Sequence, residues 1–308
     1  DDFYISSLSC KKLVYKGLIM AHQLAGFYPD LADDKFKSAF ALVHSRFSTN
    51  TLGTWKLAHP YRFVVHNGEI NTHRGNVNWM SSREKAFQSK TLGKDMDKLI
   101  PIVKHGQSDT ASLDNALELL VSTGRTLEHS MMMLIPEAWG DHIPMDPRKK
   151  AFYEYHSSMM EPWDGPALVI GTDGRKVCAI LDRNGLRPCR YLVTKGGLLV
   201  MASETGVLDV PPQDVLYKER IYPGKMFLLD TKEGRIIEDE ELKNGLSNRK
   251  PYGEWLKQNS ISLDDLPEPN VSDEAGPTSL QNLKRTFGYT LEDLQMIIEP
   301  MALNGSEP

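Results

Sequence analysis

Polar and apolar residues alternate in FYISSL and again in KLVYKGLI. A period of two is what a strand with one buried face requires, so Phe3–Leu8 and Lys12–Ile19 are predicted as two strands, paired antiparallel through SCK. A short helix is predicted around Ala21–Tyr28, and a third strand over Lys37–Val43 runs straight into the polar sequence HSRFSTNT. The apolar stretch Phe63–His66 predicts another strand, which passes into Asn67-Gly68, a pair suited to a tight turn. Helical spacing follows over Asn71–Ser89, over Thr110–Thr123, where Leu113, Ala116, Leu117 and Leu120 share a face, and over Lys149–Met160. Strands return between Ala167 and Leu229, separated by turns such as TDGRK and TKGGL.

A helical middle flanked by strand-rich segments lacks the strict strand–helix alternation of a parallel sheet. It predicts an α+β domain of antiparallel sheets with helices packed outside them. Composition changes near Glu238, and SISLDDLPEPNVSDEAGPTS (Ser260–Ser279) is rich in Pro, Ser and acids, as linkers are. The expected organisation is therefore a main domain over 1–240, a linker over 241–278, and a helical segment over 279–308 in which Thr290 caps a last helix.

Length and charge narrow the function. The 308 residues, 40% hydrophobic and 25% charged, suffice for one large core with an appendage. A formal charge of −5 with no dense Lys/Arg stripe argues against nucleic acid or an anionic membrane as partner. The three cysteines, Cys10, Cys178 and Cys189, are too few and too far apart for a disulfide framework, a zinc site or an iron–sulfur cluster, and fit a reducing compartment. No apolar run of about 18 residues is present, and DDFYISSLSC has neither the basic start nor the apolar core of a signal peptide.

Several long motifs occur in order: HSRFSTN, LAHPYRFVVHNGEINTHRGNVNWMSSRE, QSDT, IPEAW, DPRKKAFYEYHSSMMEPWDGPA, LDRNGLRPCRY and FGYTLEDLQMIIEPMALNG. The chain carrying them resembles the class II, N-terminal-nucleophile glutamine amidotransferases, and among those the large subunits of the glutamate synthase family. The likeness covers nearly the whole chain. It implies an Ntn-hydrolase-like αββα sandwich of antiparallel sheets, incomplete here, followed by the linker and the start of the central domain. In that family a cysteine at the mature N-terminus attacks the side-chain amide of glutamine, releases ammonia and leaves a thioester for water to cleave.

A free amino acid carries a carboxylate and an ammonium, so its site needs a fixed cation and a fixed anion. The resemblance gives Arg46 the carboxylate, through a bidentate guanidinium fork that lysine could not reproduce, and Asp109 the ammonium. Thr49 and the backbone at Phe47 would add hydrogen bonds at the same end. Asn67, through its side-chain NH₂, and Gly68, through its backbone N–H, would form the oxyanion hole, where each donor is worth roughly 3–4 kcal/mol. Taken singly these residues have plainer readings: an arginine at a strand end as a surface ion pair, Asn-Gly as a hairpin turn, Asp109 as the cap of the helix that begins at Thr110. Only their joint order favours the site. His44, His59 and His66 are read as structural or supporting, Met131–Met133, Trp139 and Trp163 as packing, and Asn184-Gly185 as a turn.

The chain opens on Asp1, so the nucleophile is expected upstream, and these residues alone are expected not to turn over glutamine. Cys10 lies in ISSLSCKK and has no α-amine of its own to act as base. The resemblance further implies FMN and an iron–sulfur cluster in a synthase domain elsewhere, with no cofactor or metal in this segment. It also implies ferredoxin or an NAD(P)H-oxidising subunit as electron donor, and the cytoplasm or the plastid stroma as compartment. Two alternatives stand beside it: a non-catalytic amino-acid-binding scaffold of the same fold, and another class II enzyme such as amidophosphoribosyltransferase.

Overall fold

The computed structural model describes residues 3–46, 53–268 and 279–308. It divides into two units, Asp1–Asn259 and Ser260–Pro308.

The first unit is built on a five-stranded antiparallel sheet of order β1-β2-β3-β7-β8, from β1 (Val64–Gly68), β2 (Ala167–Thr172), β3 (Lys176–Leu181), β7 (Met226–Asp230) and β8 (Arg235–Ile237). A second sheet of order β5-β4-β6 joins β4 (Arg190–Thr194), β5 (Leu199–Ala202) and β6 (Val215–Arg220). Side chains alternate across a strand, so the first sheet has two buried faces. One carries Leu168, Ala179, Leu181 and Phe227 against Tyr191 and Cys189 of the second sheet's layer. The other carries Val64, Val169, Cys178, Ile180 and Leu228 against helices.

Those helices follow the short α1 (Leu24–Phe27): α2 (His73–Arg83), α3 (Asp109–Ser122), α4 (Leu127–Leu134) and α5 (Pro147–Ser157). Leu113, Ala116, Leu117 and Leu120 of α3 are buried, as their spacing requires. So are Met131, Met132 and Met133, on the helix α4 that the periodicity did not reveal. Trp163 is a core residue. Helix, sheet and sheet thus stack in the order expected of the sandwich.

Two expectations change. Phe3–Leu8, Lys12–Ile19 and Lys37–Val43 form no strands among the described residues. Their backbones find no ladder: the first two segments touch through serine hydroxyls, Ser6 Oγ donating to Val14 O and Val14 N to Ser7 Oγ, both at 3.1 Å. Phe3, Ile5, Leu8 and Leu13 stay exposed, and alternation specifies a strand only where one face has something to bury against. The stretch 241–259 is not linker. Helices α6 (Asp239–Ser247) and α7 (Tyr252–Asn259) place Leu242, Leu246 and Tyr252 in the main core, and the compact unit continues to Asn259.

The second unit contains α8 (Leu280–Thr286), α9 (Leu291–Asp293), a π turn over Leu294–Ile298 and α10 (Glu299–Asn304). Thr290 caps as expected, its hydroxyl accepting from Asp293 N at 3.1 Å.

Candidate active site

The site is assembled at the end of β1. Register pairs Asn67 with Leu168 and Gly68 with Ala167, so Asn67-Gly68 is the last pair of a strand and not a hairpin loop. Phe63 and Glu69 exchange bonds with the β2 side, Phe63 O accepting from Thr172 N and Glu69 N donating to Pro166 O. Hydrogen-bonded positions alternate along an antiparallel ladder, so the N–H groups of His66 and Gly68 face away from β2, at the edge of the sheet where no described strand pairs with β1. Gly68 has φ +145°, and a Cβ there would lie 1.8 Å from Pro166 O. Gly165, at φ +150°, faces the same constraint from Glu69 O at 2.0 Å. The DGP segment is thereby pressed backbone to backbone against the NGEI segment, and only glycine permits that approach.

Asp109 is delivered to this strand end by the first turn of α3. Ser108 is the N-cap, accepting from Ala111 N at 3.2 Å, so capping is not the task left to Asp109. Its Oδ2 accepts from Ile70 N at 2.7 Å, and its Oδ1 accepts from Thr110 N at 2.7 Å and from the Thr110 hydroxyl at 3.3 Å. A carboxylate offers about four lone-pair sites, which leaves acceptor capacity for a ligand cation. The half-buried side chain of Asn67 makes no hydrogen bond to any described residue.

His66 is buried beside Asn67 and its Nδ1 lies 2.7 Å from Thr110 Oγ1. Burial pushes this imidazole down to about 4 against the pull of Asp109, with the charges of His44 and Arg187 adding to the depression. It is neutral at pH 7. The ring of His59 packs 4.1 Å from His44 and 4.7 Å from Tyr61, whose hydroxyl is 2.9 Å from Ser108 Oγ. Aromatic contacts therefore connect the segment that ends in Arg46 to the helix start that carries Asp109.

The structure brings together Asp109, Asn67 and Gly68. Arg46 is exposed, and its guanidinium has no partner among the described residues. Phe47 and Thr49 lie outside the described residues. What the sequence reading passed over is Thr110, whose hydroxyl joins His66 to Asp109 and which stood in view within QSDT. It also passed over Asp182 of DRNGLRP, whose buried carboxylate accepts from Ala167, Asn184 and Gly185 N–H groups at 2.9–3.0 Å and holds the start of β2 in place.

Two of the three cysteines are buried thiols. Cys178 is buried in the helix-side core and its thiol is pushed far up by burial, and burial pushes Cys189 up to about 12. Cys10 is exposed. No group of His, Cys, Asp and Glu able to hold a metal occurs among the described residues, and no described helix is long and apolar enough to cross a membrane.

A three-layer α+β domain with an Asn-Gly strand end beside an anchored aspartate is the setting in which the comparisons with known proteins fall. The profile of the class-II glutamine amidotransferases matches residues 1–255, and the chain belongs to that family. Among its relatives are proteins named as glutamate synthases. It is 51% identical over 307 residues to the glutamate synthase [NADPH] large chain of Bacillus subtilis, covering 100% of this chain and 20% of that one. Against the glutamate synthase [NADH] of Saccharomyces cerevisiae it is 46% identical, covering 99% and 15%. Against the chloroplastic ferredoxin-dependent glutamate synthase 2 of Arabidopsis thaliana it is 46% identical, covering 100% and 19%. The chain thus spans a fifth or less of the length of these relatives.

Proposed function

We propose that this chain is the glutamine-binding and oxyanion-stabilising part of the amidotransferase in a glutamate synthase. Asp109 receives the substrate ammonium, and Arg46, with Thr49 and the backbone of Phe47, receives the carboxylate. Attack on the amide carbon puts negative charge on the carbonyl oxygen, and the Asn67 NH₂ with the Gly68 N–H stabilises it. The observation that carries this reading is the half-buried Asp109 carboxylate, fixed by three donors at the same strand end where the Gly68 N–H faces an edge at which no described strand pairs with β1.

The nucleophile on this reading is a residue outside these 308: two of the cysteines are buried thiols, and Cys10, though exposed, has no α-amine of its own to act as base. The ammonia released passes to 2-oxoglutarate for reductive glutamate synthesis. On this reading FMN and an iron–sulfur cluster would supply the redox chemistry of that step, held by residues outside these 308. Relatives named for NADPH, NADH and ferredoxin match this chain about equally well, so the electron donor is selected elsewhere.

Calorimetric titration of the chain with L-glutamine tests the pocket: saturable binding, lost in Asp109→Ala, is expected. The parent polypeptide carrying an N-terminal cysteine should release ammonia from glutamine, whereas the 308 residues alone should not. Glutaminase activity of the isolated chain that disappears in Cys10→Ser would overturn the assignment of the nucleophile. A parent that binds glutamine without hydrolysing it would instead establish the binding-scaffold reading.

A further inference from the structure

Thr110 sits between the two ends of the proposed glutamine site. Its hydroxyl oxygen is 2.7 Å from His66 Nδ1 and 3.3 Å from Asp109 Oδ1, and both Thr110 and His66 are buried. A hydroxyl has one proton, and two arrangements compete for it. In the first, the proton goes to the Asp109 carboxylate, which can only accept, and the hydroxyl lone pair takes the Nδ1–H of His66. In the second, the proton goes to a bare Nδ1, the imidazole carries its hydrogen on Nε2, and the hydroxyl offers nothing to Asp109.

Surroundings decide between them. His66 Nε2 is buried with no hydrogen-bond partner among the described residues. The second arrangement would bury an orphaned N–H donor there, while the first leaves a bare lone pair and gives Asp109 a charge-assisted bond. Buried, unpaired N–H groups are the rarer and costlier defect.

We propose that Thr110 is a positioning residue of the glutamine site: it donates to Asp109 and accepts from His66, fixing the carboxylate rotamer at the ammonium end and the Nδ1–H tautomer of the imidazole beside the oxyanion strand. The proposal rests on the glutamine reading above for its ligand. His66 is on β1, one residue before Asn67, and Asp109 bonds Ile70, two residues beyond Gly68. The relay therefore clamps the strand end from both sides. Other groups near Asp109 leave this intact: His73 turns its Nε2 to Ser112 Oγ at 2.9 Å and does not reach the carboxylate.

The test uses the full 308-residue chain and two readouts. Imidazole ¹⁵N NMR should show His66 as the Nδ1–H tautomer in the wild type and in Thr110→Ser. In Thr110→Val, which keeps the shape and removes the hydroxyl, neither ring nitrogen has a partner and the preference for Nδ1–H should be lost. Titration with L-glutamine should give a dissociation constant about tenfold higher for Thr110→Val, the loss expected when one hydrogen bond to a carboxylate is removed, and near the wild-type value for Thr110→Ser. An Nε2–H tautomer in the wild type overturns the relay whatever the chain binds and whether or not the variant folds. Unchanged glutamine affinity in a folded Thr110→Val overturns the positioning role. A wild type that shows Nδ1–H but binds no glutamine supports the relay and refutes the glutamine reading.

Discussion

The Oδ2 oxygen of Asp109 accepts the backbone N–H of Ile70 at 2.7 Å, tying the first turn of α3 to the residues that follow Asn67-Gly68. A charged residue placed only to hold a loop could be replaced by its amide with modest loss. Asparagine at 109 would keep one acceptor for Ile70 or for Thr110, but its NH₂ would face the other donor. Asp109→Asn is therefore expected to lower stability by about 1–2 kcal/mol in urea unfolding. Its effect on ligand binding should be larger, because the charge that pairs with an ammonium is gone. Glutamine affinity is expected to fall by about ten- to a hundredfold by calorimetry, from the roughly 1.5–3 kcal/mol of a charge-assisted bond.

Glycines separate the constrained part of this site from its tolerant flank. A Cβ at Gly68 would stand 1.8 Å from Pro166 O, a backbone atom that cannot rotate away, and the φ of +145° excludes other residues in any case. Gly68→Ala should cost several kcal/mol or prevent folding, by the roughly 1–3 kcal/mol of backbone strain alone plus the clash. Gly75, in α2, has nothing within 4 Å of a Cβ. Gly75→Ala should raise stability by up to about 1 kcal/mol through helix propensity. Thermal melts of the two variants should thus move in opposite directions.

The contrast also explains which parts of the fold were legible in the sequence. Helices α3 and α5 and the strands after Ala167 were, the helices through the spacing of their apolar residues and a capping residue, the strands through short apolar runs set off by turns. Lys12–Ile19 shows polar and apolar alternation, yet a strand needs a neighbour's backbone, and no local pattern says whether one is present. Leu127–Leu134 is buried on every side, so no periodicity marks it as a helix. The 241–259 stretch is polar enough to read as linker because its apolar residues are few, although Leu242, Leu246 and Tyr252 all reach the core. In the site, Asn67, Gly68 and Asp109 were legible as residue types at motif positions. The Thr110 relay was not, because it depends on a helix start and a strand end meeting in space.

Acid should destabilise the chain well above the carboxylate range. His156 Nδ1 is 2.7 Å from Phe152 O, a carbonyl that can only accept, so His156 Nε2 is a bare acceptor and His129 Nε2–H donates to it at 2.8 Å. Protonating His156 fills its Nε2 lone pair and breaks that bond inside the core, and charging His129 places a cation there beside Arg125 and Arg249. Burial lowers His129 to about 3 and His156 to about 4, with Arg125 and Arg249 close by, and burial lowers His59 to about 3 and His66 to about 4. Depressed folded-state values mean that the unfolded chain binds more protons. Stability is then complete above about pH 6.5 and falls as pH drops toward 4, by up to about 1.4 kcal/mol per pH unit for each imidazole. Asp114, raised by burial to about 6, acts oppositely between its ordinary 3.8 and 6, but it is one group against four. Urea unfolding at pH 5.0 and 7.5 should show a clear loss at pH 5.0. The double variant His129→Leu/His156→Phe should reduce the dependence, and an equal dependence in that variant would remove this pair from the account.

Lys243 gives the sharpest test of where the domain ends. Its side chain is 1% exposed, and Nζ donates to Gly224 O at 2.7 Å while standing 3.0 Å from Glu137 Oε1 and 2.8 Å from Asp239 Oδ1. Glu137 also meets Lys149, and Asp239 also meets Lys225, so three cations hold two anions beneath α6. If 241–259 were linker, replacing Lys243 would be nearly neutral. Buried as it is, Lys243→Met leaves Gly224 O without its lysine donor and removes the central cation from both acids, and breaking a buried ion pair on one side costs about 3–5 kcal/mol. Restoring neutrality with Lys243→Met/Glu137→Gln should recover part of that loss, because the glutamine amide no longer needs a cation, although Asp239 keeps only Lys225. Chemical denaturation of the single and double variants distinguishes the cases. A single variant within about 0.5 kcal/mol of wild type, the range of surface substitutions, would return this segment to the linker.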